Sequence, residues 1–122
     1  MSLEKSDNKK HKNWTPVNYV KNDLPLIASF FKELYKGEGS YGDMGLFQWK
    51  IIDNYVQPGI INLIKDGNRI ASTTSITPKL LIYKGDFVSV AEIGDTFTHY
   101  DYWRQGMFAL LISQSREDAE KI

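Results

Sequence analysis

Val88 to Leu111 read VSVAEIGDTFTHYDYWRQGMFALL, and this stretch changes character twice. Its first half alternates like a β-strand with Val88 and Val90 on one face. Ile93, Asp95 and Phe97 carry the alternation on one residue out of step, and Gly94 sits at the slip. An extra residue in one strand is a β-bulge, which bends the strand and re-aims its backbone groups. A polar-aromatic loop follows, the chain turns at Arg104-Gln105-Gly106, and a helix is launched from about Gln105. The first amides of a helix lack an intrahelical acceptor and carry the positive end of its dipole, so this strand-turn-helix predicts an anion site made of backbone. Glycine at position 106 lets a ligand approach the main chain without meeting a Cβ.

Upstream of this stretch the pattern is a meander. Ile60 to Lys65 reads as a strand, Asp66-Gly67-Asn68 as a tight turn, Arg69 to Tyr83 as the next strand and Lys84-Gly85-Asp86 as the second turn, with Phe87 to Phe97 returning. Pro78 in the middle strand predicts a kink or a break in its pairing. Before the meander, Asp23 caps a helix at Leu24 with Pro25 in its first turn, and Leu24, Ile27, Phe31, Leu34 and Tyr35 form its apolar face. Asp43 caps a second helix from Met44 to about Tyr55, in which Phe47 and Trp49 read as core or rim residues ahead of ligand-stacking ones. Trp14 to Val20, with Pro16, suits a short edge strand. The last helix has Phe108, Leu111, Ile112, Ser115, Ala119 and Ile122 on one face. The expected fold is of the α/β (α+β) class, a mostly antiparallel meander flanked by helices. Residues 1–13 read as a disordered tail or cloning remnant, and 14–122 as one partial domain.

Composition narrows the function. A chain of 122 residues suits one core, and fifteen basic residues against fifteen acidic ones give no field that would draw in nucleic acid. A nucleic-acid partner through Lys5, Lys9, Lys10 and Lys12 is therefore disfavoured. No cysteine is present, which removes disulfides, thiolate metal ligands and a cysteine nucleophile. Only His11 and His99 could offer imidazole to a metal, too few convergent ligands for a site, so no metal is expected. No apolar run approaches a membrane span and no signal peptide is visible, so the chain reads as cytoplasmic with no membrane partner. Gly37 to Asp43, GEGSYGD, lacks the Gly-Lys-Ser/Thr ending of a nucleotide loop and does not follow a strand, so it reads as a substrate-lining loop. No Gly-x-Ser-x-Gly elbow supports a serine hydrolase.

Thr96-Phe97-Thr98-His99 followed by Asp101-Tyr102-Trp103-Arg104-Gln105-Gly106-Met107-Phe108 resembles motif A of the GNAT superfamily of acyl-CoA-dependent N-acyltransferases. Aligned on Gly106, Trp103 stands at the leading Arg/Gln position of that motif and Phe108 at its closing Gly/Ala position. The resemblance implies that acetyl-CoA is the co-substrate and that its pyrophosphate is held around Thr96, Phe97, Thr98, Arg104, Gln105, Gly106, Met107, Phe108 and Ala109. It further implies that the bulged fourth strand pairs with the pantetheine arm, and that the two N-terminal helices form part of the acceptor wall. It covers Trp14 to Ile122 but only the N-terminal part of the fold, lacking the C-terminal strands and helix. That implies either a truncated chain or a partner subunit that fills the gap, and a homodimer through the uncovered fourth strand is expected.

Acyl transfer to an amine needs a base for the ammonium proton and donors that polarise the thioester carbonyl. Glu92 and Asp95 are the candidate bases, because carboxylates beside a bulge face the cleft. Glu92 also reads as a solvent-side strand residue, Asp95 as a brace for the bulge, and His99 as a capping or packing residue. The expected function is N-acetyl transfer to a small-molecule amine or amino sugar by direct attack in a ternary complex. The other reading is a non-catalytic acyl-CoA-binding or regulatory module.

Overall fold

The computed structural model describes residues 13–35 and 44–122. The tail and the Gly37–Asp43 loop, with the capping role of Asp43, lie outside the described residues. The elements are β1 (Val17–Asn18), α1 (Leu24–Tyr35), α2 (Met44–Phe47) running into a π-helical segment (Gln48–Ile52), β2 (Ile60–Asp66), β3 (Arg69–Tyr83), β4 (Asp86–Thr98) and α3 (Met107–Glu120). All four strands pair antiparallel in the order β1-β2-β3-β4. The expected meander is there, with β1 as a short edge strand.

Alternation along β2 sorts the core into two layers. Ile61 and Leu63 face α1 and α2, where they meet Ile27, Phe30, Phe31, Phe47 and Ile51. Ile64 faces the other way, with Ala71, onto Met107 and Leu111 of α3 and Tyr102. The first layer is aromatic: Phe31 lies edge-to-face with Phe30, Phe47 and Phe97 at centroid distances of 5.4, 5.3 and 5.7 Å, a favoured geometry for ring quadrupoles. The second is sparser and partly polar. Buried Asn62 donates to Ser115 Oγ at 3.3 Å and Asp118 Oδ2 at 3.0 Å, and accepts from Asn18 at 2.6 Å.

Several local expectations are corrected. Asp23 does not cap α1. Its buried carboxylate turns back to accept from the Val20 N–H at 2.9 Å and pairs with Lys65, bracing the 3-10 turn Lys21–Asp23 that leads into the helix. The second helix ends at Ile52, not Tyr55. Its final turn widens so that Asp53 N–H reaches the Gln48 carbonyl, and Asn54 takes over by donating to the Lys50 carbonyl and accepting from Val56 N–H. Gly59 then threads between that helix end and β3. A Cβ there would lie 2.6 Å from the Ile76 carbonyl oxygen and 2.8 Å from that of Ile51, so close backbone approach accounts for this glycine. Pro78 does not break the pairing of β3: it pairs with Ala91 in unbroken register. It lies beyond Ile76, the last β3 residue that meets β2, so β3 is an edge on that side and tolerates a missing N–H.

The packing face of α3 also differs from the expected one. Met107, Leu111 and Ser115 are buried, whereas Phe108 is 59% exposed. The helix begins at Met107 rather than Gln105, and its buried stripe runs through Met107, Leu111 and Ser115 at i, i+4 spacing, which leaves Phe108, one residue round from Met107, at the rim.

Candidate active site

β4 has β3 as its only strand neighbour among the described residues, so its outer edge is open at the level of the bulge. Thr73 pairs with Phe97 and Ser75 with Gly94, which sets Asp95 and Thr96 together against Thr74. The left-handed residue is Asp95, at φ 48°, and not Gly94. Asp and Asn tolerate this conformation better than other side chains. The Asp95 carboxylate is held by Lys50 Nζ at 2.8 Å and by the Ser75 hydroxyl at 3.3 Å, and is only 7% exposed. Its negative charge, after the larger effect of burial, raises the Tyr35 phenol above its ordinary range. Glu92 sits opposite Thr77, pairs with Lys79 at 3.0 Å and is 49% exposed. Both carboxylates therefore lie on the α1 and α2 side of the sheet, each with one lysine.

Past the bulge the side chains separate by face. Phe97 turns into the aromatic layer against Phe31 and Tyr35, so only its backbone remains for a ligand. Thr96 and Thr98 turn toward α3 and pair their hydroxyls with Thr74 and Ser72 at 2.6 and 2.7 Å. The chain leaves β4 through the 3-10 turn Tyr100–Tyr102, capped by His99, whose Nδ1 accepts the Asp101 N–H at 3.1 Å. With Nδ1 accepting, Nε2 donates to the Glu33 carboxylate at 2.8 Å. Arg69 bridges Glu33 and Asp101 at 3.0 and 2.9 Å, and the Asp101 bond above all holds its guanidinium protonated. Buried Tyr102 donates to Asp66 at 2.6 Å, and burial first, then that bond, raises its phenol. His99 is thus the centre of a clamp between α1, β3 and the turn, matching its capping reading. Arg69 and Glu33 escaped sequence reading because nothing local marks partners 36 residues apart.

The turn itself is built from left-handed backbone. Arg104 has φ 64° and Gly106 φ 78°, and a Cβ on Gly106 would meet nothing within 4 Å. No side chain caps α3, so the amides of Met107, Phe108 and Ala109 point out of the helix start, beside exposed Arg104. Gln105 does not face that space: its side-chain oxygen accepts from the Trp14 indole at 3.0 Å. Trp103 is exposed, and its indole donates to the Thr98 carbonyl at 2.8 Å, lacing the turn to the end of β4. Met107 contributes its amide only, since its side chain is core.

On the α1 and α2 side, a groove of about 400 Å³ runs between the π-helical segment and outer β3. Trp49, Lys50 and Tyr55 form one wall, and Thr77, Lys79 and Leu81 part of the other. Lys50 and Lys79 connect it to the two carboxylates of β4. Of the two helical aromatics, Phe47 is core and Trp49 is on the rim. Among the described residues, no group of three or more His, Cys, Asp and Glu is placed to hold a metal, and no helix is long and apolar enough to cross a membrane.

No protein-family model and no curated protein matches the sequence. Solved structures do match the fold. A protein of Enterococcus faecalis V583 described as a probable N-acyltransferase superposes with TM-score 0.72 at 14% identity, covering 90% of this chain and 27% of that one. A GNAT family acetyltransferase from Staphylococcus aureus gives 0.65 at 13% identity, covering 90% of this chain and 80% of its own. A predicted acetyltransferase from Clostridium acetobutylicum, solved with acetyl-CoA, gives 0.59 at 16% identity, with coverages of 87% and 75%. The chain thus spans about a quarter of the first of these proteins and most of the other two.

Proposed function

Because the chain has the GNAT fold, we propose that the protein to which it belongs is a CoA-dependent N-acyltransferase, with acetyl-CoA as donor and a small-molecule amine or amino sugar as acceptor. One observation carries the reading: a bulged strand with an open outer edge runs directly into a glycine turn and an uncapped helix start. The pyrophosphate would rest on the amides of Met107, Phe108 and Ala109, with Arg104 adding charge, and the pantetheine amides would pair along β4 beyond Asp95. Thr96, Thr98, Gln105 and Gly106 shape that path through backbone geometry. The location proposed is the cytoplasm, and the open edge of β4 is the surface through which a homodimer would form.

In the reaction, the acceptor ammonium gives a proton to Glu92, directly or through water. The nitrogen lone pair then attacks the thioester carbonyl carbon and the C–S bond breaks. The leaving thiolate is protonated, and amide, free CoA and one net proton result. Glu92 is the more accessible candidate. Asp95 is engaged by Lys50 and Ser75 and serves first to hold the bulge.

Calorimetric titration tests the donor site. Acetyl-CoA and dephospho-CoA are expected to bind, and pantetheine, which lacks the pyrophosphate, at least about tenfold more weakly, since each such anion contact is charge-assisted. Equal affinity for pantetheine would sink the assignment. A second reading, an acyl-CoA-binding module without turnover, is favoured by the indole of Trp103 at a basic position of the motif and by the pairing of both candidate bases with lysines. Release of free thiol from acetyl-CoA in the presence of amines separates the two.

A further inference from the structure

The two carboxylates beside the groove are not equivalent, and their difference limits what the groove can accept. Asp95 is almost wholly buried, bonded to Lys50 and Ser75, and occupies a left-handed bulge position. Withdrawing Lys50 would strand a buried charge, which is costly, so this pair is a fixed part of the wall. Glu92 and Lys79 are 49% and 45% exposed. A pair in that setting is held by little more than thermal energy, so an incoming cation can take the place of Lys79 at small cost. Glu92 borders the groove through its strand partner Thr77 and its ion-pair partner Lys79, both of which line it, and Trp49, Tyr55, Pro78, Leu80 and Leu81 give the rest of the lining an aromatic and apolar stretch. Trp49 is 68% exposed, Tyr55 87% and Leu81 53%, and all three line it. Its volume of about 400 Å³ is that of a small-molecule cleft.

We infer that the groove binds a monoamine with an aromatic or apolar body, its one ammonium on Glu92 and its body against Trp49, Tyr55 and Leu81. This specifies the acceptor of the proposed acyltransferase and rests on that reading for its role, though not for the binding itself. A polyamine or amino sugar with several ammonium groups gains little here: Asp95 is locked to Lys50, so of the two β4 carboxylates only Glu92 can exchange its lysine for a ligand cation.

Titration of the chain with phenethylamine and with spermidine, in the absence of any CoA compound, reads this directly. Phenethylamine is expected to bind saturably and at least about fivefold more tightly than spermidine. Trp49→Ala, at a solvent-facing site that leaves the core untouched, is expected to weaken phenethylamine about fivefold through loss of ring stacking. Glu92→Gln should weaken phenethylamine by about threefold, in keeping with an exposed ion pair, and should leave binding of uncharged 2-phenylethanol unchanged. Spermidine binding as tightly as phenethylamine, or phenethylamine binding unaffected by both substitutions, would overturn the inference. Saturable, Trp49-dependent phenethylamine binding in a chain that fails to bind acetyl-CoA would uphold the groove and defeat the acyltransferase reading. Acetyl-CoA binding without the amine selectivity would do the reverse.

Discussion

The two faces of the sheet solve different problems with different chemistry. The face under α1 and α2 is filled by interlocking aromatic rings and bears the two carboxylates and the groove; its chemistry belongs to side chains. The face under α3 is thinly packed, carries a ladder of hydroxyls from Ser72, Thr74, Thr96 and Thr98, and ends in bare amides; its chemistry belongs to backbone. Backbone sites tolerate almost any side chain so long as the local φ and ψ survive. Side-chain sites depend on identity at each position. The donor end of the proposed reaction therefore belongs to a general architecture, and the acceptor end is particular to this chain.

Four substitutions or conditions probe that contrast. The largest effect is expected from Phe31→Ala, which removes the ring shared by three edge-to-face contacts at a fully buried position. It should cost about 3–5 kcal/mol in urea unfolding. A cost below about 1 kcal/mol would mean that the aromatic face is not the stabilising one. Gly106→Val addresses the other face. No neighbour obstructs the new side chain, but φ 78° is unfavourable for any residue with a Cβ, so stability should fall by only about 1–2 kcal/mol. Acetyl-CoA affinity should nevertheless be lost, because the side chain fills the space before the helix start. Retained affinity would refute the backbone site.

Acid sensitivity ranks next. Burial by itself would raise the Asp23 carboxyl, but Lys65 and the Val20 N–H outweigh it and hold its pKa below the ordinary value. A carboxylate depressed in the folded state contributes stability above its unfolded pKa, about 3.9, and that contribution disappears as pH falls through the lower folded value. The urea midpoint should thus drop on acidification below about pH 4, and Asp23→Asn should flatten that part of the profile. An unchanged profile would place the acid-labile groups elsewhere. The smallest effect is expected from Trp103→Phe, which deletes only the indole N–H bond to Thr98 at an exposed site. A loss of about 0.5–1.5 kcal/mol with unaltered CoA affinity would mark Trp103 as a lace for the turn. A change in affinity with unchanged stability would give it a ligand-facing role instead.

Much of this was legible in the chain itself. The hairpin turns, the helix positions and the out-of-step alternation between Val90 and Phe97 are local signals, because strand and helix periods and turn chemistry are written over a few residues. So was the strand-turn-glycine-helix, whose meaning depends on backbone alone. The misreadings share a cause. Its position assigns Asp23 to the helix that follows it, but Lys65 and Val20 draw it back. Pro78 reads as a defect, but β2 ends before it. Periodicity sets Phe108 on the packing face with Leu111 and Ser115, but the stripe that α3 buries is centred on Met107, Leu111 and Ser115 and leaves Phe108 at the rim. In each case the deciding partner is distant in sequence or depends on where a neighbouring element stops.

The sequence by itself determined the order of elements, the antiparallel meander, the bulge in the last strand and the turn at Arg104-Gln105-Gly106 from which a helix is launched, since each rests on periodicity, turn residues and propensity. Only the tertiary structure decided which carboxylate is locked and which is exchangeable, that Phe97 belongs to the aromatic layer while Thr96 and Thr98 face α3, that Gln105 is spoken for by Trp14, and that Trp49 borders a groove. Those outcomes depend on burial and on pairing across the sheet. A side chain's environment is created by residues far along the chain, and a one-dimensional pattern carries no record of it.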